Sequence, residues 1–296
     1  MRGAPQIGVA AAHGLAVEAS RLPDSGLRPG LRRAAGVLAR ARPTAVNLSY
    51  AVARVSRLLD EPGLAAAELR RRVRDEARAI EAEEVANSAA IARHGVALVP
   101  RGATILTICN TGALAGPGMG SALGVVFQAH LDGKTPRVYA CETRPLLQGA
   151  RLTTLELARA RIPVTLIVDS AAASVIEKCD VVLVGADRIA RNGDTANKVG
   201  TRMLAVVAHA AGRPFYVVAP SSSFDPSCPD GSHIVVEERS GEEVRAFAGC
   251  RVAPAGVTVF NPAFDVTPAR LITGFITERG IIRPPFRRSI RTALRR

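Results

Sequence analysis

Hydrophobic and polar positions follow two different rhythms along this chain, and the rhythm changes close to residue 100. The first stretch reads helical. Segment 7–19 is rich in alanine, and 31–39 carries a short apolar stripe. A helix opening at Pro43 or Thr44 would place Val46, Leu48, Ala51, Val52, Val55 and Leu58 on one face. Segment 61–93 then alternates Ala, Arg and Glu, with helix-favouring pairs at i,i+4. Gly95 and Pro100-Arg101-Gly102 break that pattern and place a boundary there, between a helical domain at 1–100 and a second domain at 101–296.

From Thr104 onward the pattern becomes strand, turn, helix. The strand candidates are TILTI (104–108), RVYAC (137–141), VTLIV (164–168), VVLVG (181–185), FYVVA (215–219) and VTVFN (257–261). Each is short, apolar and rich in β-branched residues, as strands buried on both faces should be. Helical patterns fall between most of them, at 121–131, 153–160, 171–178 and 198–211. The expected fold class is α/β: a helical N-terminal domain followed by a Rossmann-like, doubly wound parallel sheet with right-handed crossovers.

Composition narrows the function classes. A chain of 296 residues with 48% hydrophobic and 22% charged residues is globular and large enough for a substantial core. No apolar run approaches a membrane span and no signal pattern opens the chain, so the expected location is the cytoplasm, away from any membrane. Five scattered cysteines, with no CxxC pair, argue against a disulfide framework and against a zinc site. The net charge of +13 suggests nucleic acid, but the basic residues are dispersed and aromatics make up only 4% of the chain. Lysine occurs only at 134, 178 and 198, the other basic residues being arginine. Nucleic acid is therefore not expected as a partner. Segment 283–296, with six arginines and no acid, reads as a solvated basic tail or as a phosphate-binding one.

In a parallel sheet the residues that follow each strand line one rim, where open α/β sheets bind ligands. That rim collects Cys109-Asn110, Glu142-Thr143-Arg144, Asp169-Ser170, Ala186-Asp187-Arg188, Pro220 with three serines, and Asn261-Pro262. Cys109 enters a turn that becomes glycine-rich (Gly112, Gly116, Gly118, Gly120), which fits either a reactive thiol or a buried structural one. Asp169-Ser170 precedes an alanine-rich helix and reads as its cap. Asp187 runs into a loop, where capping is less natural. Asn197 and Lys198, placed at the start of a helix with its free N–H groups, would form an anion site. GPGMG (116–120) approaches a dinucleotide fingerprint, but its spacing is wrong. An arginine beside a proline opens both RGAPQIG (2–8) and RPTAVNL (42–48), as a turn or as a phosphate fork.

Together with TICNTGALA, ETRPLLQGARLT (142–153), PVTLIVDSAAA (163–173), GADRIARNGDTANKVGT (185–201), NPAFDVTP (261–268) and GIIRPPF (280–286), these segments resemble the S-methyl-5-thioribose-1-phosphate isomerases of methionine salvage. The same superfamily includes ribose-1,5-bisphosphate isomerases and non-catalytic regulatory subunits of the eukaryotic translation-initiation nucleotide-exchange factor. The resemblance implies conversion of a cyclic aldose 1-phosphate to the open ketose 1-phosphate, in a homodimer, with neither metal nor nucleotide cofactor. It implies Cys109 and Asp187 as the catalytic pair, and substrate contacts at Arg2, Gly3, Ala4, Arg42, Gln148, Asn197 and Lys198. A related 5-deoxyribose or ribose phosphate isomerase, or a regulatory or scaffold member, is the alternative. The family places several dozen residues before its RGAP motif, so a chain opening at that motif is expected to hold residues 2–4 on a frayed terminus. Gln6, Ile108 and Cys141 also depart from the family pattern.

Overall fold

Among the described residues four α-helices precede the first strand: α1 (Ala4–Arg21), α2 (Leu27–Ala39), α3 (Val46–Arg57) and α4 (Ala66–Val96). The computed structural model describes residues 3–42 and 44–295; Met1, Arg2, Pro43 and Arg296 lie outside them. Pro5 sits in the first turn of α1, where its missing N–H would have had no partner. The four helices bury Leu15, Leu31, Leu48, Val55, Leu69 and Val73 in one cluster. Further along α4, Ile91 joins a different cluster, with Ile105 and Leu123. α4 therefore belongs to two cores at once.

Beyond α4 the chain runs β1 (Thr104–Thr107), α5 (Ala122–Leu131), β2 (Arg137–Cys141), α6 (Thr154–Arg159), β3 (Val164–Ile167), α7 (Ala172–Val175), β4 (Val181–Val184), β5 (Arg188–Ala190) and β6 (Thr195–Lys198). It continues through α8 (Thr201–Ala210), β7 (Phe215–Val218), β8 (Phe224–Asp225), α9 (Glu242–Arg245), β9 (Ala246–Phe247), β10 (Cys250–Arg251), β11 (Phe264–Thr267), β12 (Gly274–Thr277), β13 (Gly280–Ile282) and α10 (Phe286–Arg295). The central sheet has the order β13-β12-β7-β4-β1-β2-β3. Its strands are parallel except β13, which returns antiparallel against β12. Alternate residues face opposite sides, as a pleated strand requires. Leu106, Val182, Val184, Val217 and Phe275 pack with residues of α8 and α10. Ile105, Val181, Leu183, Val218 and Ile276 pack against α5 and the end of α4. A second sheet, β11-β6-β5-β8, stands beside the first.

Two expectations are corrected. VTVFN is not a strand: Val257 is 45% exposed and Phe260 81%, so the segment has no layer to bury against. The sixth parallel strand is GFIT, β12, whose residues are all buried. Lys198 does not open a helix. Asn197 and Lys198 lie on β6, paired with Asp265 and Phe264 of β11, and α8 begins at Thr201. Of the basic C-terminal run, Arg287, Arg288, Arg291 and Arg295 lie on the exposed side of α10, whose Phe286 and Ile290 are buried in the sheet's core.

Phe275 is fully buried and makes edge contacts with Phe224 at 5.5 Å and Phe286 at 4.8 Å between ring centres. Phe275→Ala is expected to destabilise the fold by about 3–5 kcal/mol. Urea unfolding followed by circular dichroism checks this, and a loss below about 1 kcal/mol would mean that the cluster collapses to fill the void.

Candidate active site

β1 sits at the point where the strand order reverses: β2 and β3 extend the sheet to one side, β4, β7 and β12 to the other. Loops leaving adjacent strands in opposite directions open a crevice at such a point. Here the crevice is a cavity of about 400 Å³, closed on one side by the N-terminal helices. Gly3, Ala4, Arg42, Cys109, Gln148, Asp187, Asn197 and Lys198 all line it. Arg2 lies outside the described residues. Of the other rim positions, Asn110, Ala186 and Pro220 also line it, whereas Glu142, Asp169 and Asn261 do not.

Cys109 follows β1 with φ of 66°, in the left-handed region that side chains normally avoid. Two threonine hydroxyls hold it there. Its N–H donates to Thr143 Oγ1 at 2.8 Å, and its carbonyl accepts from Thr153 Oγ1 at 2.6 Å. Thr143 is fixed in turn by Asp169, whose carboxylate accepts the N–H groups of Thr143 and Arg144 at 2.8 and 2.7 Å. Asp169 is therefore not the cap of its own helix; it anchors the loop after β2. Burial pushes the Cys109 thiol up from its usual range, with Lys198 opposing and Asp187 adding to the shift.

Asp187 follows β4, where its N–H donates to Ala196 O of β6 at 2.9 Å. Burial raises its carboxyl to about 6; Lys198 pulls the other way and Glu237 adds to the rise. Lys198 Nζ donates to Ala263 O at 2.8 Å and lies 4.6 Å from the centre of the Phe264 ring. Asn197 Nδ2 donates to Thr201 Oγ1 at 2.9 Å. The helix N–H groups of the expected anion site are already taken: Asp265 accepts from Gly200 N at 2.7 Å and Arg202 N at 3.0 Å. Cationic side chains, rather than a helix end, carry the positive charge here, with Arg42, Arg151 and Arg239 lining the cavity along with Lys198.

The glycine-rich turn lines the same cavity through Gly116, Pro117 and Gly120. Gly120 has φ of 80°, and a Cβ there would come within 2.2 Å of Thr111 O. Ser88 of α4 ties this turn down, accepting from Met119 N at 3.0 Å and donating to Gly120 O at 2.7 Å. Gly3 and Ala4 are packed rather than frayed. A Cβ on Gly3 would meet Ala115 O at 1.8 Å, and Ala4 is 4% exposed.

Sequence reasoning missed four charged residues that line the cavity: Glu84, Arg151, Glu237 and Arg239. Arg151 stood inside a quoted motif. Glu84 sits in the Ala/Arg/Glu alternation of α4, which gives no local signal. Burial lifts its carboxyl to about 7, although Ser222 donates to it at 3.0 Å. Glu237 and Arg239 form an ion pair at 2.9 Å in a segment with no periodic pattern.

The model of the initiation factor 2 subunit family matches residues 1–284. The chain is 50% identical over 296 residues to the methylthioribose-1-phosphate isomerase of Caldanaerobacter subterraneus subsp. tengcongensis, covering 98% of this chain and 86% of that protein. A crystal structure of 5-methylthioribose 1-phosphate isomerase from Pyrococcus horikoshii OT3 superposes with a TM-score of 0.90 at 44% identity, over 100% of this chain and 84% of that one. A structure titled translation initiation factor eIF-2B, subunit delta, from A. fulgidus gives a TM-score of 0.85 at 41% identity, over 100% and 88%. Matched along nearly its whole length, this chain belongs to the initiation factor 2 subunit family.

Proposed function

We propose that this chain is an aldose–ketose isomerase that converts 5-methylthioribose 1-phosphate to 5-methylthioribulose 1-phosphate. The observation that carries the proposal is half-identity, over nearly the full length, to an enzyme bearing that name. The cavity supports it with groups suited to the reaction. The phosphate on C1 prevents a free aldehyde, so the ring must be opened by protonating its oxygen. Asp187 is that acid, since its raised carboxyl still carries a proton near pH 6. Hydrogen then passes from C2 to C1, either as a hydride or as a proton through an enol, with Cys109 at the transfer. Lys198 with Asn197, Arg42 and Gln148, together with Gly3, Ala4 and Arg2, hold the sugar phosphate. Apolar wall residues such as Ile7, Leu114 and Leu146 suit a methylthio group better than a second phosphate. The working form is a homodimer in the cytoplasm; among the described residues no helix is long and apolar enough to cross a membrane. The likeness to a structure titled as an initiation-factor subunit supports a second reading, a binding subunit without turnover.

Incubating the purified chain with methylthioribose 1-phosphate, and separately with ribose 1,5-bisphosphate and 5-deoxyribose 1-phosphate, separates these readings by NMR. Ketose formed fastest from the first supports the proposal; no ketose from any of them supports the binding subunit. Cys109→Ser and Asp187→Asn are each expected to lower kcat by at least about 100-fold with the fold intact. Near-wild-type turnover in either removes that residue from the mechanism.

The pH dependence has a defined sign. Asp187 donates only when protonated, so kcat/KM should fall as pH rises through about 6, roughly tenfold per unit beyond it. A profile flat from pH 5 to 8 would exclude Asp187 as the acid. The same raised carboxyl makes the folded state lose stability as pH climbs from the usual aspartate range through about 6. Asp187→Asn is therefore expected to melt a few degrees above wild type at pH 8, with the gap closing toward pH 4, measured by calorimetry.

A further inference from the structure

The basic run at the C-terminal end has no part in the cavity, since no described residue of α10 lines it. The helix is sharply two-sided. Phe286 and Ile290 are buried in the sheet's core, with Ala293 and Leu294 packed against it. Arg287, Arg288, Arg291 and Arg295 are all exposed on the other side. Among the described residues no ion pair or hydrogen bond engages their guanidinium groups, and no aspartate or glutamate follows Glu278 in the sequence. Arginines elsewhere are spent within the fold. α2 also carries three arginines and no acid, but its Arg28 and Arg32 donate to the carbonyls of Leu59 and Glu61 and to the Asp60 carboxylate. On α4, Arg71 and Arg72 pair with Glu68, Asp75 and Glu61.

The four free arginines stand on a fixed support. Ser289 Oγ donates to Arg283 O at 2.6 Å, tying the helix to the segment before it. Arg279 reaches the last turn and donates to Ala293 O at 3.1 Å and Leu294 O at 3.2 Å, carbonyls that a helix end leaves open. Arg287, Arg291 and Arg295 follow at i, i+4 and i+8, a row rising about 6 Å per step. That step is comparable to the one between successive phosphates along a nucleic-acid strand, and a guanidinium fork takes a phosphate through paired N–H donors. A lipid surface would need an apolar helix face to bury, and that face of α10 is already in the core. A protein partner would need an apolar anchor, and no large hydrophobic side chain of α10 is exposed. The only aromatic residue of α10, Phe286, is buried, so nothing on its open side could stack the bases of a single strand.

We propose that the exposed side of α10 is a docking surface for the phosphate backbone of double-helical nucleic acid, bound without regard to base sequence. Over the whole chain the basic residues are dispersed, which is why composition does not lead one to expect this partner; on α10 they are gathered, unpaired and held in place. Each phosphate met by an arginine releases a condensed counterion, so affinity falls steeply with salt. The surface stands apart from the isomerase reading, since no group of the cavity takes part.

The test measures binding of the full chain by fluorescence anisotropy to a DNA duplex and an RNA duplex, each of about 20 base pairs, between about 50 and 200 mM salt. Wild type should bind the two within about threefold of each other, because only phosphates are met. Arg287→Gln, Arg288→Gln, Arg291→Gln and Arg295→Gln combined should weaken binding at least about tenfold and flatten the slope of log K against log salt by about 3 to 4. Glutamine suits a helix, and an unchanged melting curve shows that the fold is kept. Removing the same charge at four other exposed arginines, by Arg33→Gln, Arg40→Gln, Arg57→Gln and Arg74→Gln, should change Kd by less than about threefold. Equal weakening by this second set overturns the assignment, since net charge alone would then account for binding. So does unchanged binding in the α10 variant, a wild type without affinity at the lowest salt, or a strong preference for one of the two duplexes. Displacement of the duplex by poly-glutamate or by phosphatidylglycerol vesicles at equal charge overturns it too.

Discussion

A short parallel pairing, Ile105 with Val181 and Leu106 with Val182, joins the two halves of the central sheet. Every element of the cavity takes its place from it. β1 leads on to the half containing β2 and β3, and β4 stands beside it at the head of the half containing β7 and β12. Because the two strands run in the same direction, their carboxyl ends open into one crevice. Cys109 and Asp187, 78 positions apart in sequence by their numbers, meet there. The four residues that form the pairing are fully buried or nearly so, two toward each face, so a shift in register would expose apolar side chains on both sides of the sheet.

Around that joint, burial sets the chemistry. It raises both the Cys109 thiol and the Asp187 carboxyl, against the pull of Lys198 on each and of the Asn110 backbone on the thiol. The result is a thiol and a carboxyl that both keep their protons to higher pH than usual, beside a fixed cation, an arrangement suited to giving protons rather than to nucleophilic attack. The backbone at Cys109 adds a second constraint. Its left-handed φ persists because hydroxyls from Thr143 and Thr153 hold both its N–H and its carbonyl. The chain from Asp169 through Thr143 to Cys109 links three successive strand ends into one support.

The strands that form this joint were legible because burial on both faces produces continuous β-branched runs. VVLV and FYVV could hardly be anything else. The same rule misread VTVFN, since β-branched composition cannot report whether a partner layer exists. It overlooked GFIT, whose opening glycine and short length dilute the pattern. Lys198 was found for the right residue type and the wrong element: the helix that follows starts three residues later and is capped by Asp265, 67 positions away in sequence from Lys198. Glu84 and Glu237 illustrate the deeper limit. Each owes its place in the cavity to packing between segments far apart in sequence, which neither periodicity nor local motif records.

α4 carries an implication for how the cavity meets its ligand. At 31 residues it is a rod of roughly 46 Å. One part of it is embedded in the helical cluster, and a later part in the core beneath the sheet. Glu84 and Ser88, on its cavity side, lie between those two anchorages. A rod built into both walls works as a tie-beam, so the walls cannot swing apart like jaws. Any adjustment of the cavity to a ligand then falls to the strand-end loops that carry Leu146 and Glu237, with the frame itself held fixed.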